Sequence, residues 1–156
     1  MNSVIKAKED KSLTTGTLMR RLFRTSSFEK FKEKNSDAFG LPAFHEYITE
    51  LCMEKGEVRE HVIKRSGLDR VYGHQIFTGR YVPSRDKVIQ LAFGFSLDVK
   101  GAQELLRIAR KPELYPKVER DAAILFSLSH HMEFDEVQEL LIELRLPLLG
   151  GDRNDK

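Results

Sequence analysis

From residue 43 to residue 149 the chain runs through stretches of helical periodicity separated by short breaks. Phe44, Ile48, Leu51 and Cys52 fall at i, i+4, i+7 and i+8, one face of a helix that ends near Gly56. Val58, Val62 and Ile63 mark a second helix that stops at Gly67, since glycine accepts the left-handed backbone that ends helices. Asp69 is placed to cap a short third helix over 70–77, closed by Gly79. Pro83 and Ser84 open a fourth, with Val88, Leu91 and Ala92 inward. Ala102, Leu105, Leu106 and Ala109 predict a fifth helix, Ala122, Ala123 and Phe126 a sixth, and Val137, Leu140, Leu141 and Leu144 a seventh. No segment alternates with period two, so the predicted fold is all-α. Upstream, Leu18, Leu22, Phe23, Phe28 and Phe31 suit one or two short helices, capped by Thr17 and by Ser26 or Ser27. Residues 35–42 read as a linker broken by Gly40 and Pro42. Residues 1–12 are polar and aperiodic, and 150–156 form a Gly-Gly-led polar tail, so disorder is expected at both ends.

The periodic region contains a repeat. With a shift of 35 residues, 85–114 align on 120–149 without a gap and with ten identities in thirty positions. Arg85-Asp86 fall on Arg120-Asp121, Ile89 on Ile124, and the Gln-Glu-Leu-Leu run at 103–106 on the same run at 138–141. Arg110, Pro112 and Leu114 fall on Arg145, Pro147 and Leu149. One helical hairpin is written twice. The copies are expected to stack as repeat units do, although two are too few for a solenoid.

Composition narrows the class. A chain of 156 residues with 40% hydrophobic and 32% charged residues has the makeup of one globular domain. The single cysteine, Cys52, excludes an internal disulfide and a cysteine zinc cluster, and its place in an apolar stripe suggests an inert buried thiol. No apolar run approaches a membrane span, and the first ten residues lack a signal-peptide core, so a cytoplasmic protein without membrane contact is expected. Charge is uneven. Residues 1–40 carry 9 Lys/Arg against 5 Asp/Glu, 57–90 carry 7 against 4, and 91–156 carry 9 against 12. A basic front, including Arg20, Arg21 and Arg24, suits a polyanion. Catalytic constellations are missing: His45-Glu46 lacks the second histidine of H-E-x-x-H because residue 49 is Thr49, and no phosphate-loop motif occurs. His130 and His131 are adjacent, so on a helix they diverge by about 100° and do not suit one ion. Asp135, Glu136, Glu139 and Glu143 form an acidic helix face. No enzyme activity, metal or cofactor is expected.

Residues 57–79 hold the sharpest signal. A helix ends at Gly67, Leu68 and Asp69 make a short turn, and a second helix follows to Gly79. This is the length pattern of a helix-turn-helix, in which the first helix braces a second that enters the major groove. Leu68 and Ile76 would plug the interior, leaving Arg70, Val71, His74 and Gln75 to face outward.

These residues resemble the Cro/repressor (Xre-like) helix-turn-helix family over roughly 43–99. The resemblance rests on V-I-K-R-S-G-L-D at 62–69, Q-I-F-T-G at 75–79, P-S-R-D at 83–86 and L-A-F at 91–93. More narrowly, the chain is similar to a group of bacterial predicted regulators. They share a basic N-terminal helix, a Y-x-x-Q-I-F-x-G-x-x-x-P-S-R-D stretch (Tyr72 to Asp86) and a C-terminal hairpin with L-Y-P and R-D. The sequence departs from the family at Gly73, where an aliphatic is usual, and at Phe77, where most members carry an acid.

The resemblance implies a Cro/repressor-like bundle with an added, duplicated C-terminal hairpin. Its layout would be a basic N-terminal arm at 1–42, a DNA-binding domain at 43–110, a hairpin at 111–149 and a tail at 150–156. Arg70, Val71, His74 and Gln75 would read bases, arginine gripping guanine and glutamine adenine. Arg59, Arg80, Ser84 and Arg85 would meet phosphates, which sets register rather than sequence. The implied function is sequence-specific binding of double-stranded DNA in transcriptional regulation. A homodimer is expected on half-sites ~34–36 Å apart, with the C-terminal hairpin as dimer or protein-partner surface. Leu146, Leu148 and Leu149 motivate that choice. The alternative is a helical protein-interaction module, an adaptor or antitoxin-like protein with a degenerate recognition helix.

Overall fold

The computed structural model describes residues 14–151, so the expected disorder of 1–12 and of most of the tail lies outside the described residues. The chain divides into two units between Pro42 and Ala43. The first unit holds α1 (Thr15–Arg24), α2 (Phe28–Lys34) and the single turn α3 (Ser36–Phe39). Thr14, rather than Thr17, caps α1 by accepting from the Thr17 amide, and Ser27 caps α2 in the same way. Asn35 is buried; its amide donates to the Phe31 carbonyl at 2.8 Å and accepts from Arg21 Nη1 at 2.7 Å. Phe31 sits between Phe28 and Phe39, both ring centroids 6.2 Å away. The apolar positions of α1 are not core: Met19, Leu22 and Phe23 are exposed, and α1 buries no residue.

The second unit contains α4 (Phe44–Glu54), α5 (Arg59–Arg65), α6 (Arg70–Phe77), α7 (Arg85–Gly94), α8 (Val99–Ile108), α9 (Glu119–Ser129) and α10 (Phe134–Glu143). The described residues include helices and no strand, and the fold is all-α. None of these helices is long and apolar enough to cross a membrane. Its centre is α7, buried from Val88 to Gly94 because V-I-Q-L-A-F-G offers no solvated face. Helices α5, α8 and α10 all lie against it. The one polar member of that run, Gln90, donates to the Ser66 carbonyl at 3.0 Å, while its buried Oε1 has no hydrogen-bond partner among the described residues. Where α7 crosses α5, a Cβ on Gly94 would stand 1.9 Å from Ser66 Oγ and 2.6 Å from the Val62 carbonyl. Glycine there is a requirement of the crossing. Cys52 is buried, and burial pushes its thiol pKa up.

Three helix pairs, α5–α6, α7–α8 and α9–α10, turn by one device. Gly67, Ser96 and His131 take φ of 68°, 55° and 54°. Each is followed by an apolar residue and then an acidic residue at the N-cap of the next helix: Asp69, Asp98 or Glu133. The amides of Gly67 and Leu68 donate to the Lys64 and Ile63 carbonyls, and the other two turns reproduce this pattern. Such paired bonds satisfy the last carbonyls of a helix. At the first turn glycine also makes room, because a Cβ on Gly67 would fall 2.2 Å from the Phe134 ring. The first residue of α10 therefore lies on the turn between α5 and α6.

The repeat seen in the sequence is a repeat of bonds. Gln103 clamps the backbone of Leu114 from both sides, donating to its carbonyl at 2.8 Å and accepting from its amide at 2.7 Å. Gln138 does the same to Leu149 at 2.9 and 2.8 Å. Arg85 donates to the carbonyls of Pro112 and Glu113 and, through both Nη atoms, to Asp121. Arg120 donates to the carbonyls of Pro147 and Leu148 and, through both Nη atoms, to Asp86. Each arginine thus pairs with the aspartate of the other copy.

Two expectations are corrected here. In α9 the buried face is Asp121, Ala123, Ile124, Ser127 and Leu128, whereas Ala122 is half-buried and Phe126 is 51% exposed, stacked on His130. The polar residues turn inward because Asp121 is neutralised by Arg85 and Ser127 Oγ donates to the Ala123 carbonyl. In α10, Leu144 is exposed and Val137 and Leu141 carry the contact. Helices α9 and α10 fall in the same compact unit as α4–α8.

Candidate nucleic-acid interface

Helix α6 is set by three local choices. Asp69 Oδ2 accepts from the Tyr72 amide at 3.1 Å and fixes its start. Gly73 lets α6 lie close on α5, because a Cβ there would meet Ile63 Cγ2 at 2.5 Å. An aliphatic side chain would not fit there. Phe77 is a core residue. It is buried, 6.3 Å from the Phe95 ring, with the Arg59 guanidinium 5.1 Å from its own centroid. Leu68 and Ile76 are buried beside it.

With Gly73, Ile76 and Phe77 inward, the opposite face is Arg70, Val71, His74, Gln75 and Thr78, which line one shallow depression. Val71 is 64% exposed, and His74 and Gln75 are half-buried. The Arg70 side chain is 79% exposed but engaged: its Nε and Nη2 donate to Glu60 Oε1 at 3.1 and 2.7 Å. His74 Nε2 stands 3.7 Å from the same oxygen. Hydrogen bonding from Arg70, and then its charge, hold the Glu60 carboxyl below its usual range.

The residues assigned to phosphate are dispersed. Arg80 is exposed, 5.9 Å from the Tyr81 ring. Ser84 caps α7, accepting from the Lys87 amide at 3.4 Å, and its own hydroxyl proton remains a donor. Arg59 lies over Phe77, with Nη2 3.5 Å from Thr49 Oγ1. Arg85 does not stand with them. Its Nε and both Nη atoms are bound to Asp121, Pro112 and Glu113.

Sequence reasoning missed two features. Glu60, one residue after the basic position assigned to phosphate, binds Arg70 and stands 3.7 Å from His74 Nε2. Tyr72 and Tyr81 stack at 5.7 Å between α6 and the following loop, with Lys87 Nζ 5.9 Å from the Tyr72 ring. Glu60 and Arg70 are ten residues apart on different helices, and no local spacing rule joins them. Comparison with family models, curated proteins and solved structures found no match.

Proposed function

We propose that this chain binds double-stranded DNA sequence-specifically through α6 and acts in transcriptional control without a catalytic step. One observation carries the reading. A short helix, closely backed by α5 across a tight turn, turns Gly73, Ile76 and Phe77 inward and collects Arg70, Val71, His74 and Gln75 on one open face. Arginine forks the O6 and N7 of guanine, glutamine the N6 and N7 of adenine, and valine suits the thymine methyl. Arg80, Ser84 and Arg59 supply backbone contacts at its flanks, and Lys87 is a further cation there.

The test is selection from a random duplex library with the purified chain, beside an Arg70→Ala, Gln75→Ala double variant. The wild type is expected to enrich a short motif that the variant does not. A palindromic motif with half-sites one helical turn apart reports a homodimer; a single half-site reports a monomer. Enrichment of nothing at low salt refutes the reading.

A second reading, a helical protein-interaction module, is favoured by the engagement of Arg85 with Asp121 and the Pro112 and Glu113 carbonyls. Salt separates the two. DNA binding gives a log–log slope of about −0.9 per neutralised phosphate, which a protein contact of this size does not.

A further inference from the structure

We propose that Glu60 is a positioning residue for base reading, holding one edge of the Arg70 guanidinium so that the opposite edge is presented outward. The inference rests on the DNA-binding reading of α6. A guanidinium has five N–H donors in one plane. Nε–H and one Nη2–H are bound to Glu60 Oε1. The outer edge, made of Nη1 and the second Nη2 hydrogen, takes no partner among the described residues. That outer edge is the fork that matches O6 and N7 of guanine.

The pair does not exist for stability. Both side chains are more than half exposed, and such ion pairs contribute little to folding. What it does is restrict direction. An arginine at the first position of an exposed helix has many rotamers, and each must be given up on binding. Glu60 removes most of them in advance from across the turn, because it stands on α5 and Arg70 on α6. Its charge has a second effect. A phosphate that approaches Arg70 also approaches a carboxylate, which is in addition 3.7 Å from His74 Nε2. Backbone contacts carry no sequence information, so the acid weakens unspecific binding at the two residues it touches.

The experiment compares full-length wild type with Glu60→Ala and Glu60→Gln. Selection from the random duplex library gives the motif, and titration of an unselected duplex pool across a salt series gives unspecific affinity. For Glu60→Ala, guanine preference at one motif position is expected to fall about tenfold. Pool affinity is expected to rise, with the salt slope steeper by up to about 0.9 as Arg70 turns to a phosphate. Glu60→Gln keeps the acceptor oxygen and loses the charge, so it should retain much of the guanine preference while still binding the pool more tightly. A merely structural role would lower both affinities together, along with the melting temperature, and that result overturns the proposal. So does a Glu60→Ala motif identical to that of wild type. If wild type itself enriches nothing, the DNA-binding reading falls, and this inference with it; a wild-type motif indifferent to Glu60 sinks the inference alone.

Discussion

The Arg85–Asp121 pair allows a worked prediction. Asp121 is 5% exposed and accepts three hydrogen bonds: from Arg85 Nη1 at 3.1 Å, from Arg85 Nη2 at 2.8 Å and from the Tyr115 amide at 2.9 Å. Asp121→Ala leaves a guanidinium whose side chain is 26% exposed, with two carbonyl partners and no counter-charge. Removing one member of a buried pair costs about 3–5 kcal/mol, and the partial exposure of Arg85 puts this case near 3 kcal/mol. For a unit of this size that is roughly 10 °C in Tm. Urea unfolding followed by circular dichroism measures it, and a cycle with Arg85→Ala should return a coupling of about 2 kcal/mol. The pH dependence has a definite sign. Burial pushes the Asp121 carboxyl up, but hydrogen bonds from Arg85 and Tyr115 and the charges of Arg85 and Arg120 outweigh it, and the net shift is downward. A depressed pKa contributes stability above the unfolded value and loses it as pH falls. Wild type and Asp121→Ala should therefore differ fully at neutral pH and converge below about pH 4. Asp86→Ala should cost the same within about 1 kcal/mol, because Asp86 and Arg120 are 18% and 17% exposed and bonded alike. A loss under about 0.5 kcal/mol for Asp121→Ala, the level of an ordinary surface change, would refute the reasoning.

Two further outcomes follow from the core. Gly94→Ala should destabilise by about 1–3 kcal/mol in thermal unfolding, since the clash with Ser66 and the Val62 carbonyl exceeds the ~1 kcal/mol that alanine gains in a helix; a stabilised variant would contradict the tight α5–α7 crossing. Burial first, and then Glu104 and Glu54, raise the Tyr47 phenol to about 12. A raised folded pKa means that stability is lost as pH rises, so alkaline unfolding should begin above about pH 10, and Tyr47→Phe should flatten that limb.

Much of this fold could be read from the sequence where the cause was local. Gly67 and Asp69 announced a turn and a cap because each answers to neighbours within four residues. The duplicated hairpin was visible as spaced identities, although the reason for Gln103 and Gln138, a two-sided clamp on a backbone eleven residues away, was not. Periodicity failed where polar residues face inward. In α9 it chose Phe126 over Ser127, since Asp121 and Ser127 count as outward until their partners are known. In α1 it marked an apolar face, but Leu22 and Phe23 remain exposed. The candidate interface was legible in its outward set and not in its electrostatics. Arg85 reads as a free cation in the sequence, because the partner it binds, Asp121, lies 36 residues away.

The crossed bonds of the two hairpins have one more consequence. When each unit of an array bonds forward to the next, the last unit always offers an unused surface, and a third can be added. Here the arginine of each copy takes the aspartate of the other, which is the reciprocity of an isologous contact between two identical subunits. Such a contact is self-closing. Both copies use the same patch, and once they have met, neither has that patch left for a third. The hairpin α9–α10 is in this sense a partner covalently attached to α7–α8. The two hairpins thus satisfy each other within one chain, in the reciprocal way that two identical subunits would.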